Sequence, residues 1–241
     1  MRSRWNDGAR WIDGTLRRAL VLSLSLLGLL STACENFPAR QEPRSAQSAQ
    51  GAGVPSAAES VPVLVEIPAG TNAKWELDKS SGSLIWEQRN GKPRVVQYLG
   101  YPGNYGMIPR TLLPKEQGGD GDPLDVLLLG PALERGAVVS ARPIGVLRLL
   151  DGGESDDKIL AVPFAGPLSD VSSIDELDRR YPGVTSIVST WFANYKGPDR
   201  LQVLGVESSG AARRAIENAS RAYETQPGMT SSSFEQNKET Q

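Results

Sequence analysis

Hydrophobic and polar residues alternate in short runs through the first half of the patterned region of the chain. The runs end at turn signals such as Gly70, Asn90-Gly91 and Gly152-Gly153, because glycine adopts backbone conformations that other residues avoid. Short strands at this spacing predict a small barrel or sandwich. The six predicted strands comprise residues 61–67, 84–86, 94–98, 125–129, 138–149 and 159–162.

The hydrophobic period changes to that of helices in the second half of this region. Ser173 and Glu176 have the spacing of a capping box, which predicts that a helix begins there. Residues 211–223 are rich in Ala and Arg and predict a last helix. The apolar residues between them recur at helical spacing, namely Ile187, Val188, Trp191, Phe192 and Tyr195. Strands first and helices later predict an α+β domain over residues 61–226.

The first 33 residues have the pattern of a secretory signal. Five arginines precede an uncharged apolar run at residues 19–30, which is shorter than the ~20 apolar residues a helix needs to cross a bilayer. A basic segment, a short apolar core and a small-residue site are typical of a cleaved signal peptide. The site, Leu30-Ser-Thr-Ala-Cys34, resembles a bacterial lipobox, although the leucine lies four residues before the cysteine instead of three.

We therefore expect residues 1–33 to be removed and Cys34 to be lipidated, so that the protein is exported and anchored to a bacterial membrane on its periplasmic or cell-surface side. The alternatives are an ordinary signal peptide with an incidental cysteine, or a membrane-spanning anchor. Residues 34–60 are rich in Gln, Ala, Ser, Pro and Gly and are expected to form a flexible, lipid-anchored linker. Residues 227–241 are expected to be a disordered polar tail.

Composition restricts the chemistry, because the chain has no histidine and a single cysteine. Histidine-based triads, His/Cys zinc sites and an intramolecular disulfide are excluded. Any metal must therefore accept oxygen ligands, which favours Mg²⁺ or Ca²⁺, with Mn²⁺ as a substitute. The formal net charge of -2 gives no reason to expect a nucleic-acid partner.

Three aspartates, Asp120, Asp122 and Asp125, lie within one short segment beside several glycines. Carboxylates this close repel one another, so the segment is either an open acidic loop or the surroundings of a cation. Pro123 stiffens the segment and a predicted buried strand follows it, which favours the cation. An EF-hand is rejected, because its sixth position holds Asp125 and its twelfth holds Pro131 instead of Gly and Glu.

A second acidic group follows in residues 151–158, with Asp151, Asp156, Asp157 and Lys158. Taken alone it would be a surface hairpin tip, and it gains meaning only when paired with the first cluster. Lysines, arginines and tyrosines elsewhere would complete a phosphoryl-transfer site, in which metal ions and basic side chains neutralise phosphate oxygens. The candidates are Lys74, Arg94, Tyr101, Tyr105, Tyr195 and Lys196.

At these residues the sequence resembles the soluble family I inorganic pyrophosphatases. The family signature Asp-x-Asp-Pro-apolar-Asp-apolar reads Asp120-Gly-Asp-Pro-Leu-Asp-Val126 here. The resemblance covers roughly residues 61–225 and implies a five-stranded OB-like β-barrel with the C-terminal helices packed outside. The other matching segments, in family order, are residues 65–68, 72–76, 91–94, 104–109, 149–158 and 191–196.

The resemblance also implies roles for individual residues in the Mg²⁺-dependent hydrolysis of pyrophosphate. Asp122 would deprotonate a water held between metal ions, and Tyr101 would lie near the leaving phosphate. Glu66 would sit in the acidic rim with Glu76 and reach the metals largely through water. The implied metal ligands are Asp120, Asp125, Asp151, Asp156 and Glu76. The implied phosphate-binding residues are Lys74, Arg94, Tyr105, Lys158, Tyr195 and Lys196.

Two other classes of protein compete with a hydrolase. A non-catalytic phosphate- or pyrophosphate-binding lipoprotein on the same fold would be expected to have lost Asp122 or a metal aspartate, and all are present. An OB module that binds carbohydrate or oligonucleotide would show aromatic stacking platforms and a basic groove, and aromatics make up only 6% of the chain. The sequence leaves the oligomeric state open, with a homo-oligomer among the options.

Overall fold

Residues 59–226 are described by the computed structural model of this chain. The expected signal peptide at residues 1–33, Cys34 and the expected tail at residues 227–241 lie outside the described residues. So does the expected linker, except for its last two residues, Glu59 and Ser60. No helix within residues 59–226 combines the length and the apolar character that crossing a membrane would require.

Eleven strands and three α-helices make up the described part of the chain. The strands are β1 (Val61–Ile67), β2 (Trp75–Asp78), β3 (Ser83–Trp86), β4 (Gln88–Arg89), β5 (Lys92–Pro93), β6 (Asn104–Met107), β7 (Asp125–Leu128), β8 (Val138–Asp151), β9 (Glu154–Ser155), β10 (Lys158–Pro163) and β11 (Leu201–Ser208). The helices are α1 (Ile174–Arg180), α2 (Val184–Asn194) and α3 (Ser209–Thr225), and a 3-10 turn spans Lys115–Gln117.

Seven of the strands form one mixed sheet in the order β1-β6-β7-β10-β8-β11, with β9 added to β8. β7 and β10 are parallel neighbours, and the other pairs in this sheet are antiparallel. β1 pairs with β8 as well as with β6. The hairpins β2–β3 and β4–β5 are separate two-stranded sheets. The predicted α+β class is confirmed at this level, as a mixed sheet with three helices.

Strand alternation divides the core between the two faces of the sheet. In β7, Leu127 packs in one cluster with Trp191 and Phe192 of α2, and Val126 and Leu128 pack in another with the alanines of α3. Successive side chains of a strand point to opposite faces, so we call these the α2 face and the α3 face. Each helix is amphipathic because one of its sides covers the sheet.

Helix α1 begins where the sequence predicts. The amide of Glu176 donates to Ser173 Oγ at 3.2 Å, which satisfies one of the free N–H groups of the first turn. The returning contact differs from a standard capping box, because the Glu176 carboxylate accepts from the amide of Ser172, at 2.9 Å, instead of from that of Ser173. The second half of the motif is therefore shifted by one residue.

Two local predictions were wrong or incomplete. Residues 94–98 form no strand, because Val95 makes only an isolated bridge with Ala73. The predicted list omitted β6 and β11, along with the short strands β2, β4, β5 and β9. Strand β6 crosses β1 so closely that a Cβ at Gly106 would lie 1.8 Å from the carbonyl oxygen of Leu64. Position 106 therefore requires glycine, and glycine is a residue that does not favour strands, so the composition of β6 did not indicate a strand.

Candidate active site

The aspartate segment is a loop whose backbone is fixed before β7 begins. The amide of Asp122 donates to Asp120 Oδ1 at 2.8 Å, and the Asp122 carbonyl accepts from the amide of Leu113 at 2.8 Å. The amide of Leu124 donates to Thr111 Oγ1 at 2.9 Å. Asp125 then opens β7. The three carboxylates are therefore mounted on an ordered loop, as the sequence analysis expected.

The second acidic group lies beside the first because of the strand order. Asp151 ends β8 and Lys158 opens β10, which runs parallel to β7 with Ile159 opposite Val126. This register puts Lys158 next to Asp125. The amide of Asp156 donates to the carbonyl of Leu149 at 2.9 Å, which folds the turn back on β8. The structure thus brings the two sequence clusters together at one end of the sheet.

Two lysine ammonium groups join the carboxylates of the two clusters. Lys158 Nζ lies 2.5 Å from Asp125 Oδ2 and 2.6 Å from Asp156 Oδ1. Lys196 Nζ, just after α2, lies 2.5 Å from Asp151 Oδ2 and 4.0 Å from Asp156 Oδ2. Burial lowers the pKa of Lys158, but the Asp125 and Asp156 carboxylates outweigh it and raise the pKa above its ordinary value. Lys158 is therefore a permanent cation, with a side chain that is only 2% exposed.

The three candidate tyrosines lie together with α2 on the same side of the site. The ring centroids of Tyr101 and Tyr105 are 5.1 Å apart, and Tyr195 stacks on Trp191 at 4.5 Å. Burial raises the pKa of all three phenols above the ordinary value, and nearby carboxylates add to this for Tyr105 and Tyr195. The phenols therefore stay protonated near neutral pH and act as hydrogen-bond donors.

The two remaining basic candidates reach the site from the hairpin region. Lys74 Nζ lies 5.5 Å from the centre of the Tyr105 ring. Arg94 reaches the vicinity of Tyr101 and Tyr195 but already has a carboxylate partner, since its NH1 lies 2.8 Å from each oxygen of Glu87. A phosphate at Arg94 would therefore share the guanidinium with Glu87 or displace it.

Glu66 and Glu76 occupy different environments. Glu66 is buried on β1 and accepts a 2.9 Å hydrogen bond from the amide of Leu77. Burial raises its pKa to about 7, although the charge of Lys74 lowers it. Glu76 lies half-buried on β2 and is close enough to influence Glu66 electrostatically. These two acids form an outer group beside the lysine-bridged carboxylates.

The donor set fits a hard divalent cation in its chemistry. It consists of negatively charged oxygens, which Mg²⁺ and Mn²⁺ prefer. Burial raises the pKa of Asp120 above its ordinary value, and the charges of Asp122 and Asp125 add to this. Within residues 59–226 no three acidic side chains are close enough together to hold a metal ion as they stand, and the ammonium groups of Lys158 and Lys196 lie against Asp125, Asp151 and Asp156. The residues that would hold a cation are Asp120, Asp125, Asp151 and Asp156, with Glu76 at the rim.

Three residues that hold members of the candidate set or of its acidic turns were not predicted from the sequence. Lys79, in the turn between β2 and β3, forms an ion pair with Asp122. Glu87 holds Arg94. Arg148 holds Asp157, with NH1 2.5 Å from Asp157 Oδ2. The spacing of Glu87 and Arg94 in a hairpin gave a weak signal, whereas the other two contacts depend on tertiary structure.

Clustered carboxylates with lysine, arginine and phenol donors define the class of metal-assisted hydrolases that act on phosphate-bearing substrates. The family pattern described as "Pyrophosphatase: Inorganic pyrophosphatase" matches residues 63–224. The chain therefore belongs to the inorganic pyrophosphatase family.

Individual relatives agree with this assignment. The chain is 36% identical over 159 residues to an inorganic pyrophosphatase of Xanthomonas campestris, covering 65% of this chain and 84% of that protein. It is 36% identical over 172 residues to one of Helicobacter pylori, covering 69% of this chain and 93% of that protein. A solved Helicobacter pylori inorganic pyrophosphatase superposes with a TM-score of 0.61 at 34% identity, covering 73% of this chain and 99% of the other.

Proposed function

We propose that this protein hydrolyses inorganic pyrophosphate to two orthophosphates in a reaction that depends on Mg²⁺, with Asp122 as the general base. The observation that carries the proposal is the convergence of Asp125, Asp151 and Asp156 on Lys158 and Lys196. Three elements distant in sequence meet there with both signs of charge. Membership of the inorganic pyrophosphatase family supplies the substrate.

The basic side chains and phenols of the site bind the substrate. Lys158 and Lys196 are already placed among the carboxylates, and each would exchange part of its carboxylate contacts for phosphate oxygens. Lys74 and Arg94 approach from the hairpin side. Tyr105 and Tyr195 remain protonated and would donate hydrogen bonds to the phosphoryl groups. Tyr101, also protonated, would donate towards the leaving phosphate.

Asp122 is the aspartate best placed to accept a proton from the attacking water. Its carboxylate is half-exposed, with 54% of the side chain accessible, and its partner Lys79 is 53% exposed, whereas Asp125 and Asp156 are engaged by the buried Lys158. A divalent cation held by Asp120, Asp125, Asp151 and Asp156 would neutralise phosphate charge and bring the pKa of a water towards neutrality. With that assistance a carboxylate suffices as base, which agrees with a chain that has no histidine.

The experiment that tests this function is release of orthophosphate from pyrophosphate by the purified protein, with Mg²⁺, with Mn²⁺ and with a chelator. We expect turnover that requires the cation and falls at least about 100-fold in Asp122→Asn, as for loss of a general base. Asp157→Asn is the matched control, since Asp157 is an aspartate of the second acidic turn that faces Arg148, and it should stay within a few-fold of the parent.

Two results would contradict the proposal. Full activity in Asp122→Asn would remove the assigned base. Tight binding of pyrophosphate without turnover in the parent would instead support the non-catalytic phosphate-binding lipoprotein. Calorimetric titration with pyrophosphate beside the turnover assay separates these outcomes.

We also propose that β1, β6, β7, β10 and β8 close into an OB-like barrel. The pairings support it, since β1 contacts both β6 and β8 and the series of partners returns to its start. A closed barrel leaves no free strand edge among these five. Hydrogen exchange should therefore protect amides at the β1–β8 pairing, for example Val63 opposite Val139, as strongly as those at β7–β10. Rapid exchange there would contradict closure.

The location remains a proposal on sequence grounds alone. Cleavage before Cys34 and its lipidation would leave residues 61–226 as a pyrophosphatase domain tethered by residues 34–60 to a bacterial membrane, outside the cytoplasm. Mass spectrometry of the mature protein from membranes tests this. A diacylated or triacylated N-terminal Cys34 supports the anchor, and a free Cys34 thiol or cleavage elsewhere contradicts it. Size-exclusion chromatography with light scattering would determine whether the domain is a homo-oligomer.

A further inference from the structure

One lysine connects the β2–β3 turn to the loop that carries the proposed base. Lys79 Nζ forms an ion pair with Asp122 Oδ1 and donates a 2.8 Å hydrogen bond to the carbonyl oxygen of Gly121. The two contacts hold neighbouring groups of the same loop. A single ammonium group therefore fixes both the side chain of Asp122 and the backbone just before it.

The turn that carries Lys79 is ordered by its own contacts. Asp78 accepts from the amide of Ser80 at 3.0 Å and from the hydroxyl of Ser81 at 2.8 Å, and its carbonyl accepts from the amide of Gly82 at 2.8 Å. The side chain of Lys79 takes no part in these bonds. Its position relative to Asp122 is therefore set by the hairpin, and replacing it should leave the turn intact.

Lys79 holds the carboxylate of Asp122, whereas other residues hold the Asp122 backbone. The Asp122 amide and carbonyl are bound by Asp120 and Leu113. Within residues 59–226, Lys79 is the one side chain that bonds the Asp122 carboxylate. Without it, a half-exposed carboxylate would sample several rotamers, because nothing else in the loop selects one.

We propose that Lys79 is a positioning residue of the hydrolytic site, which holds the Asp122 carboxylate in its working orientation and opposes cation binding at the adjacent aspartates. The inference rests on the proposed role of Asp122 as base. Its second part follows from charge, since an ammonium group and a divalent cation beside the same carboxylates disfavour each other. By linkage, removing one strengthens the other.

The test uses the full chain as Lys79→Met, Lys79→Arg and Lys115→Met, with two measurements on each. The first is the kcat and KM for pyrophosphate at saturating Mg²⁺. The second is calorimetric titration of the metal-free protein with Mg²⁺ in the absence of substrate. Lys115 is the matched control, because its side chain runs beside Gly121, 2.9 Å from where a Cβ there would lie. It has no ion pair with Asp122 among the described residues.

We expect Lys79→Met to lower kcat about tenfold with little change in KM, a part of what a general base contributes. We also expect the variant to bind Mg²⁺ about threefold more tightly. The effect is small because solvent screens the half-exposed pair of Lys79 and Asp122. Raising the salt concentration should shrink the second effect. Lys79→Arg should restore both quantities, because it keeps the charge and the donors.

Two results overturn the inference. One is unchanged kcat in Lys79→Met, and the other is Mg²⁺ affinity that is unchanged or that rises equally in Lys115→Met. A merely structural role for Lys79 would lower kcat without strengthening cation binding. Failure of the proposed function is distinguishable, because it would appear as absence of turnover in the parent protein, whereas the titration with Mg²⁺ requires no turnover.

Discussion

The turn formed by residues 151–158 carries ion pairs on both faces of the sheet, and the two sets differ. The front network, on the α2 face, consists of Lys158, Lys196, Asp125, Asp151 and Asp156. The back network, on the α3 face, consists of Arg148, Asp157 and Glu207. Asp156 and Asp157 are neighbours in sequence but belong to different networks, because successive side chains of an extended chain point to opposite faces.

The two networks differ in burial and in balance of charge. Lys158 is 2% exposed and bridges Asp125 of β7 and Asp156 of the turn, whereas Glu207 is 50% exposed at the rim of the back network. The front network has three carboxylates and two ammonium groups. In the back network, Arg148 lies between Asp157 and Glu207, and the charge of Arg214 also acts on Glu207. Each network has one more carboxylate than it has cationic groups, but the charge of Arg214 offsets this surplus in the back network. The unmatched negative charge therefore lies in the front network, where it favours binding of a cation.

The largest expected effect comes from Lys158→Met, which removes the centre of the front network. Asp125 and Asp156 would then face each other without a cation, and breaking such a buried pair costs about 3–5 kcal/mol of the free energy of unfolding. Urea denaturation of the metal-free protein measures it. Mg²⁺ should recover part of the loss in this variant. Equal losses with and without Mg²⁺ would contradict the view that the front network is a cation site.

Glu66→Gln should remove a pH dependence of stability that arises from the buried Glu66 beside the front network, where the charge of Asp125 acts on it. The folded pKa of Glu66, about 7, lies above the unfolded value of 4.5, so the folded state binds the proton more tightly. Stability from this group is therefore complete below pH 4.5, falls as pH rises to 7, and is constant above. The full fall is about 3 kcal/mol by linkage.

Denaturation midpoints of the metal-free parent and Glu66→Gln at pH 5 and pH 8 check this. Gln keeps the acceptor for the amide of Leu77, so the variant should exceed the parent in stability at pH 8 by more than at pH 5. The advantage should shrink when Mg²⁺ is present, because a cation favours the ionised Glu66. An equal difference in stability between parent and variant at the two pH values would show that the pKa of Glu66 is not raised in the folded protein.

Arg148→Met should have a smaller effect and no link to the cation. Its side chain is 29% exposed, so loss of its two carboxylate contacts should lower the free energy of unfolding by about 1–2 kcal/mol. The loss should be the same with and without Mg²⁺, and turnover should fall less than fivefold. A loss of stability that Mg²⁺ reverses would show that the two networks act as one.

Glu207→Gln should have the smallest effect of the series. Arg148 lowers the pKa of Glu207, but the carboxylate is half in solvent and its charge is screened. We expect a denaturation midpoint that matches the parent at physiological salt. A clearly lower denaturation midpoint at physiological salt would show that Glu207 contributes more to stability than its exposure suggests.

The sequence indicated where the charged residues lie and where α1 begins, and it predicted less of the sheet around them. The start of α1 follows a local capping rule and is confirmed. The two aspartate clusters lie beside each other, while the roles of their residues stay predictions. Strand β6 was missed because Asn104 and Gly106 are poor strand formers. The strand forms by pairing with β1 and β7, and the Asn104 side chain accepts from the amides of Ala69 and Leu133 and donates to the carbonyl of Pro131. Only the assembled sheet provides these contacts.

The same reason explains the missed contacts of the site. Lys79 meets Asp122 only when the β2–β3 hairpin lies over the loop that carries Asp122. Arg148 meets Asp157 only when the turn of residues 151–158 folds back on β8. Residues 94–98 have the composition of a strand, yet Val95 finds one bridge partner, Ala73. Local pattern thus predicts which residues carry charge, and tertiary structure determines which charges meet.

The stacking of Trp191 on Tyr195 places a fluorescent indole beside the candidate site. The indole ring lies 4.5 Å from the phenol ring at an angle of 11°, and its Nε1 donates to the carbonyl of Leu99 at 3.0 Å. Lys196 follows directly and reaches Asp151. An anion that draws Tyr195 and Lys196 inward would alter the surroundings of the indole, so its emission would report occupancy of the site in real time and without a label.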